Sequence, residues 1–177
     1  MSIEPGTYKL GPDDGTLSVR TGRTGAAAKA GHDLLIEVTA WEATLAVGET
    51  TSMELTADPR SLRVREGSGG MQALGDDDKA NIAKTIDDDV LKGRAIAFRS
   101  TAVTAADGRL DVEGELTLGD STRPIAFAVT VDDGRLSAEA VVKQTDFGIK
   151  PHSALFGALK VADEVKVALD AGLPQSR

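Results

Sequence analysis

Alternation of apolar and polar residues constrains this chain more than any other feature. In "PIAFAVTV" the residues Ile125, Phe127, Val129 and Val131 occupy every second position, and in "EVKVALD" Val165, Val167 and Leu169 do the same. Side chains of an extended strand point alternately to its two faces, so such a run buries one face and wets the other. The pattern returns at Leu17 and Val19, at Leu34, Ile36 and Val38, at Met53 and Leu55, and at Leu62 and Val64. It continues at Ile96 and Phe98, at Leu116 and Leu118, and through Leu136, Ala138, Ala140 and Val142. An all-β, antiparallel chain is the expectation. The turn sequences "PDDG" (12–15), "AADG" (105–108) and "VDDG" (131–134) put glycine where positive φ is needed, and predict hairpins joining neighbouring strands in a meander.

In "HDLLIEVTAWEATLAV" the apolar phase runs through Leu34, Ile36, Val38 and Ala40, then shifts by one to Trp41, Ala43, Leu45 and Val47. A one-residue shift turns every side chain to the other face, so a bulge or sharp bend is expected near Ala40, the device by which a barrel turns a corner. One segment abandons period two. In "DDDKANIAKTIDDDVL", Ile82, Ile86 and Val90 are spaced by four, with Asp76 to Asp78 available as cap and first-turn acids. This predicts one helix of about 12 residues near 77–88. No repeat, linker or change of composition divides the chain, which reads as a single domain over 1–177.

Composition then narrows the chemistry. Twenty Lys and Arg against 28 Asp and Glu leave a net charge of −8, which argues against nucleic acid or an anionic membrane surface as partner. The absence of cysteine excludes disulfides, thiolate catalysis and cysteine-based metal sites. The longest apolar run, Ile125 to Val129, is far too short for a membrane-spanning helix, so no membrane insertion is expected. The opening "MSIEPGTYKL" lacks the basic and apolar regions of a secretory leader; a cytoplasmic location is the expectation, and a periplasmic or secreted one only if a leader has been removed.

Motifs for catalysis are weak. "GMQALGD" has the glycine spacing of a phosphate loop, but Asp76 stands where the lysine should be. The triplets Asp76 to Asp78 and Asp87 to Asp89 lack the alternating spacing of a calcium loop, so no metal site is assigned. His32 precedes Asp33 and His152 precedes Ser153, which allows a Ser/His/Asp set to be sketched, yet no nucleophile motif or oxyanion hole accompanies them. No catalytic residue and no cofactor are assigned, and a small hydrolase or isomerase using His32 or His152 stands as the alternative. "SALFGALKV" gathers Leu155, Phe156, Leu159 and Val161 around Gly157, either as a plug in a barrel end or as an apolar lip over a pocket.

Several stretches taken together carry a family likeness. "GTYKLGPDDGTLSVRTGRTGAAAKAGHDLLIEV", "DDDKANIAKTI", "VLKGRAIAFRSTAV", "DVEGELTLGDSTRPIAFAVTV" and "KQTDFGIKPHSALFGALKVADEVKVAL" resemble the YceI-like family in order and spacing, over nearly the whole chain. The most specific pieces are Phe98-x-Ser100, the "GELTLG" of Gly114 to Gly119 with its following "TRP", the "TDFGI" of Thr145 to Ile149 and the "VADEVKV" ending. The resemblance implies a lipocalin-like extended β-barrel of about eight strands with a helix beside it. Its apolar interior would hold a long-chain amphiphile, such as a polyisoprenoid, an isoprenoid quinone precursor or a fatty-acid derivative. It implies no enzyme activity, and family members are commonly periplasmic, from which this chain departs by its lack of a leader. The expected interior wall is Leu34, Ile36, Val38, Ile96, Phe98, Leu116, Leu118, Ile125, Phe127, Val129 and Leu136. The expected rim is Phe147, Ile149, Leu155, Phe156 and Leu159, with His32 at the polar head. An edge-bearing barrel leaves room for a homodimer, though no motif supports one, and a filled barrel acting as a ligand-free stress-related interaction module is a further alternative.

Overall fold

The computed structural model describes residues 3–25, 33–68, 74–151, 153–154 and 159–174. Among them the strands are β1 (Gly6–Leu10), β2 (Gly15–Arg20), β3 (Arg23–Thr24), β4 (Asp33–Val38), β5 (Trp41–Val47), β6 (Ser52–Ala57) and β7 (Leu62–Ser68). The helix α1 (Asp76–Thr85) follows, and then β8 (Ile96–Ala106), β9 (Arg109–Leu118), β10 (Ser121–Asp132), β11 (Arg135–Lys143), β12 (Ser153–Ala154), β13 (Leu159–Val161) and β14 (Glu164–Gly172). Eleven strands make one curled antiparallel sheet in the order β1-β5-β6-β8-β9-β10-β11-β14-β2-β4-β7, and β12-β13-β3 form a small second one.

The sheet has eleven strands rather than about eight because three long runs are each broken at a corner. These breaks fall at Gly11–Asp14, between β1 and β2; at Thr39–Ala40, between β4 and β5; and at Asp58–Ser61, between β6 and β7. On one side of the corners β5 pairs with β1 and β6, and on the other β4 pairs with β2 and β7. The same three runs therefore supply both ends of the strand order, which is how the sheet curls round. "PDDG" at 12–15 is consequently a corner and not a hairpin: β1 and β2 pair with other strands, and Asp14 Oδ2 accepts from the Gly11 amide at 2.8 Å to hold the bend. The other two turn sequences close the expected hairpins β8–β9 and β10–β11, the second with Asp133 and Gly134 both at positive φ.

The expected bend near Ala40 is present. Ile36 and Val38 are buried before it, and Trp41, Ala43 and Leu45 after it, so the buried parity changes from even to odd across Thr39–Ala40. At this corner the Thr39 amide and hydroxyl both donate to the Ser61 carbonyl (2.9 and 2.7 Å), and the Asp58 amide donates to the Ala40 carbonyl at 3.0 Å. Ser61, buried and polar, donates its hydroxyl to the Asp58 carbonyl at 2.8 Å.

Helix α1 packs along β7. Its start has Asp76, Asp77 and Asp78 in the first turn, with the Asp78 carboxylate accepting from the Gly75 amide at 3.0 Å. The helix runs further than 77–88: a π-helical turn, Ile86–Leu91, prolongs it until Lys92 and Gly93 adopt positive φ and stop it. The wider turn adds a residue without rotating the apolar stripe away, so Ile82, Ile86, Val90 and Leu91 all face the sheet's hollow side.

One glycine fixes the middle of the sheet. A Cβ on Gly114 in β9 would overlap the Arg99 carbonyl and lie 2.6 Å from Phe98 Cζ, so the absent side chain is the space the Phe98 ring occupies. Phe98 packs in turn on Phe127, with ring centroids 5.2 Å apart. Gly114→Ala is expected to destabilise the fold by about 1–3 kcal/mol through overpacking. In chemical denaturation, pairing it with Phe98→Leu should recover part of that loss, since the two positions compete for one volume.

Candidate functional site

The inward face of the sheet changes character along each strand. On β10, Val129 and Val131 are buried while Ile125 and Phe127, on the same face, are only half-buried. On β9, Leu110 and Val112 are buried while Leu116 and Leu118 are half-buried; on β11, Leu136 is buried and Ala138 and Ala140 are not fully so. Inward-pointing apolar residues that still touch open space define a hollow. One end of the interior is solid, closed by Tyr8, Leu10, Leu45, Val112, Val129 and Leu136. The other holds a partly open cavity of about 490 Å³, within the range of small-molecule sites.

The cavity wall is apolar almost throughout. From the sheet come Leu17, Val19, Leu34, Ile36, Met53, Leu55, Ile96, Phe98, Leu116, Leu118, Ile125, Phe127, Ala138, Ala140, Val165 and Val167, and from α1 and its extension Ile82, Ile86, Val90 and Leu91. The alanines at 138 and 140 matter because they stop short of the centre. Packing Phe98 against Phe127 places a double aromatic floor between the hollow and the solid end.

The family-like motifs now have local physical reasons. Ser100, two residues after Phe98 and on the same face, accepts from the Met53 amide at 2.9 Å and joins β6 to β8 just before the bulge at Thr101. Within Gly114 to Gly119, Gly114 admits the Phe98 ring, Leu116 and Leu118 point into the cavity, and Gly119 turns the chain at positive φ. Arg123 donates to the Asp146 carbonyl at 2.8 Å. Thr145 and Asp163 form a clasp: the Thr145 amide donates to Asp163 Oδ1 at 2.8 Å and its hydroxyl to Oδ2 at 2.6 Å. The Gln144 amide donates to the Asp163 carbonyl at 2.9 Å, which ties the end of β11 to the start of β14 and sets Gln144 and Ile149 against the cavity.

The wall is not continuous hydrogen-bonded sheet. β10 and β11 pair only from Val129↔Ala138 to Asp132↔Arg135. Beyond that point β10 continues beside β9 alone and β11 beside β14 alone, and the 3₁₀ turn Gln144–Phe147 lies against β10 there. Val141, on the outer face of this unpaired part of β11, is a large apolar residue 53% exposed.

The structure brings Leu34, Ile36, Val38, Ile96, Phe98, Leu116, Leu118, Ile125 and Phe127 together on the cavity wall. Val129 and Leu136 are not on it: both are 0% exposed within the solid end, because the strands converge there and opposite side chains meet. Of the rim set, Ile149 lines the cavity, whereas Phe147 is buried and is not on the cavity wall. Leu159 begins β13, and its side chain lies outside the described residues, as do His32, Leu155 and Phe156, and His152 of the alternative reading. Sequence reasoning missed the contribution of α1, although the four-residue spacing of Ile82, Ile86 and Val90 already marked an apolar face in need of a partner. It also left Met53, Leu55, Ala138, Ala140, Val165 and Val167 off the wall, although their alternation is as regular as that of the residues chosen. Among the described residues no group of acidic or histidine side chains is placed to hold a metal ion, and no helix is long and apolar enough to cross a membrane.

The family described as the YceI-like domain matches residues 8–173. Among solved structures, BcnA of Burkholderia cenocepacia is similar in fold at 16% identity, covering 87% of this chain and 94% of its own, with a TM-score of 0.58. A YCEI protein of Campylobacter jejuni, crystallised with large solvent channels, matches at 11% identity over 80% of this chain and 85% of its own, with a TM-score of 0.57. No curated protein sequence matches the chain.

The clasp has a pH signature. Chiefly the Thr145 hydroxyl holds the Asp163 carboxyl below its ordinary value; lost hydration opposes this, and the Thr145 amide and the Lys143 charge reinforce it. A carboxyl whose folded value is depressed adds its stabilisation in full above the unfolded value of about 3.9 and loses it as pH falls through the lowered folded value. Denaturation midpoints measured from neutral pH downward should fall in that acid window, and Asp163→Asn should flatten this fall while lowering stability at neutral pH.

Proposed function

The chain belongs to the YceI-like family, and on that footing we propose that its cavity holds the hydrocarbon part of one long-chain amphiphile, which the protein binds and carries or stores without transforming it. The observation that carries this reading is the hollow half of the interior, where inward-pointing apolar side chains stop short of one another around about 490 Å³. A protein interior normally packs to leave few voids larger than a water molecule. An apolar void of this size filled with water would leave that water short of hydrogen-bond partners, whereas a hydrocarbon chain satisfies the wall.

Magnitudes support such a ligand. Each buried methylene contributes ~0.8 kcal/mol, so a chain of about ten to fifteen carbons offers on the order of 10 kcal/mol before entropic losses. Leu34, Ile36, Ile96, Leu116, Ile125 and Phe127 would contact the chain, with Ile149 at the mouth. Polyisoprenoids, isoprenoid quinone precursors and fatty-acid derivatives all present the flexible apolar chain that the cavity accommodates. No charge pair, metal or nucleophile is needed for binding of this kind.

Organic extraction of the purified protein followed by mass spectrometry should recover a long-chain lipid, either retained from cells or taken up from a mixed panel. Recovery of none by both routes would sink the proposal. Ala140→Phe, which fills the hollow from β11, is expected to weaken lipid uptake by about tenfold or more, ~1.4 kcal/mol, while the denaturation midpoint stays within error of the parent.

A further inference from the structure

The ladder between β10 and β11 stops at Val129↔Ala138, and one residue forbids its simple continuation. The Val131 amide donates to the Gly108 carbonyl beside β9 at 3.0 Å. Backbone groups of an extended strand point alternately to its two neighbours, so the odd-numbered amides of β10 face β9 and the even-numbered positions face β11. Continued in the same register, Ala128, Ala126 and Pro124 would meet Glu139, Val141 and Lys143. Pro124 stands on the side that faces β11 and has no N–H to donate. Proline in a sheet belongs at an open edge, and here that edge lies within the strand order rather than at its margin.

Short or apolar side chains line this seam on both faces. Outside, Pro124, Ala126, Ala128 and Val141 are exposed. Inside, Ile125, Phe127, Ala138 and Ala140 belong to the cavity wall. Next to the seam the 3₁₀ turn Gln144–Phe147 completes the wall, since Gln144 at its start and Ile149 just beyond it both line the cavity. The turn buries Phe147, so its resting position is closed. Its two sides are held unequally. Toward β14 it is tied by the clasp, with Thr145 donating twice to the Asp163 carboxylate and the Gln144 amide to the Asp163 carbonyl. Toward β10, among the described residues, it has one hydrogen bond, from Arg123 Nε to the Asp146 carbonyl at 2.8 Å, and water competes for this exposed donor. Parting β10 from the turn breaks that one bond, whereas parting β10 from β9 breaks a ladder running from Ser121 to Thr130.

We propose that a hydrocarbon chain enters and leaves the cavity sideways, through the seam between β10 and β11, with the turn Gln144–Phe147 as a flap anchored on Asp163 and latched by Arg123. The route rests on the carrier reading above. Such a passage sets how fast a ligand exchanges and leaves its affinity unchanged, because the free and loaded states are both closed. The chain has no cysteine, so the seam can be bridged chemically. In the delipidated full chain, Ala126→Cys/Val141→Cys joined by a short bis-maleimide is expected to slow uptake and release of cis-parinaric acid, followed by stopped-flow fluorescence, by at least about tenfold each, with Kd within about twofold of the unbridged variant. Thr130→Cys/Ser137→Cys, bridged in the same way across the paired part of the same strands, should leave both rates unchanged. Arg123→Met should raise both rates by about threefold at unchanged Kd. In the ligand-free chain, the amides of Ala126, Ala128 and Val141 should exchange hydrogen at least about tenfold faster than those of Phe127 and Val129, which face β9. Equal protection of the two sets would overturn the open seam whatever lipid is bound. Unchanged rates on bridging 126 to 141, or equal slowing by both bridges, would overturn the route and leave the carrier reading standing. Unchanged rates in Arg123→Met would overturn the latch. Failure of the unbridged chain to bind cis-parinaric acid or any lipid of a mixed panel would instead remove the carrier reading, and this proposal with it.

Discussion

A strand offers the interior only every second side chain, so a strand that bends round a corner must change parity there or carry its apolar face to the outside. The rest of this structure depends on that constraint being met at the three corners. At Thr39–Ala40 the buried positions pass from Val38 to Trp41, a step of three where a straight strand would take two. The corner is held by backbone and side-chain groups that would otherwise lack partners: Thr39 donates twice to the Ser61 carbonyl, and Ser61 donates back to Asp58. Because the first three long runs all bend, both ends of the sheet are carried by the same polypeptide. The curl that makes an inside follows from this.

Having an inside does not decide whether it is filled. At the solid end Leu45, Val112, Val129 and Leu136 meet across the interior and lose all or nearly all exposure. A few residues along the same strands, Ala138 and Ala140 are too short to fill the interior, and Leu116, Leu118 and Ile125 remain only half-buried on the cavity wall. Phe98 and Phe127 mark the boundary, and Gly114 makes that boundary possible by leaving room for the first ring. Helix α1 then completes the wall with side chains placed on helical spacing, which a sheet alone could not supply at that end.

Much of this was legible in the residues, and the part that was not has a physical reason. Alternation located the strands, the phase shift located the corner near Ala40, and four-residue spacing located the helix. The corner at Gly11–Asp14 was not distinguishable from a hairpin, because "PDDG" satisfies the φ requirements of both and only the distant partners β5, β4 and β14 decide between them. The strand count differed for the same reason, since a corner interrupts a ladder without interrupting a pattern. Val129 and Phe127 are equivalent in sequence periodicity, yet one is packed and the other lines the hollow. That difference lies in the distance between opposite walls, a property of the curl that no single strand encodes.

The unpaired stretch between β10 and β11 has a mechanical consequence. Between strands that share a ladder, changing the girth of the wall means breaking hydrogen bonds attached to rigid neighbours. From Ser121 to Ala128 on one side and Glu139 to Lys143 on the other there is no ladder to break, and Arg123 crosses the gap by one hydrogen bond to the Asp146 carbonyl. Outward strain on the wall would concentrate where no ladder resists it, and this seam is one such place, as in the expansion joint of a rigid vessel. Volume can be adjusted there while the corners, the aromatic floor and the Thr145–Asp163 clasp keep their geometry.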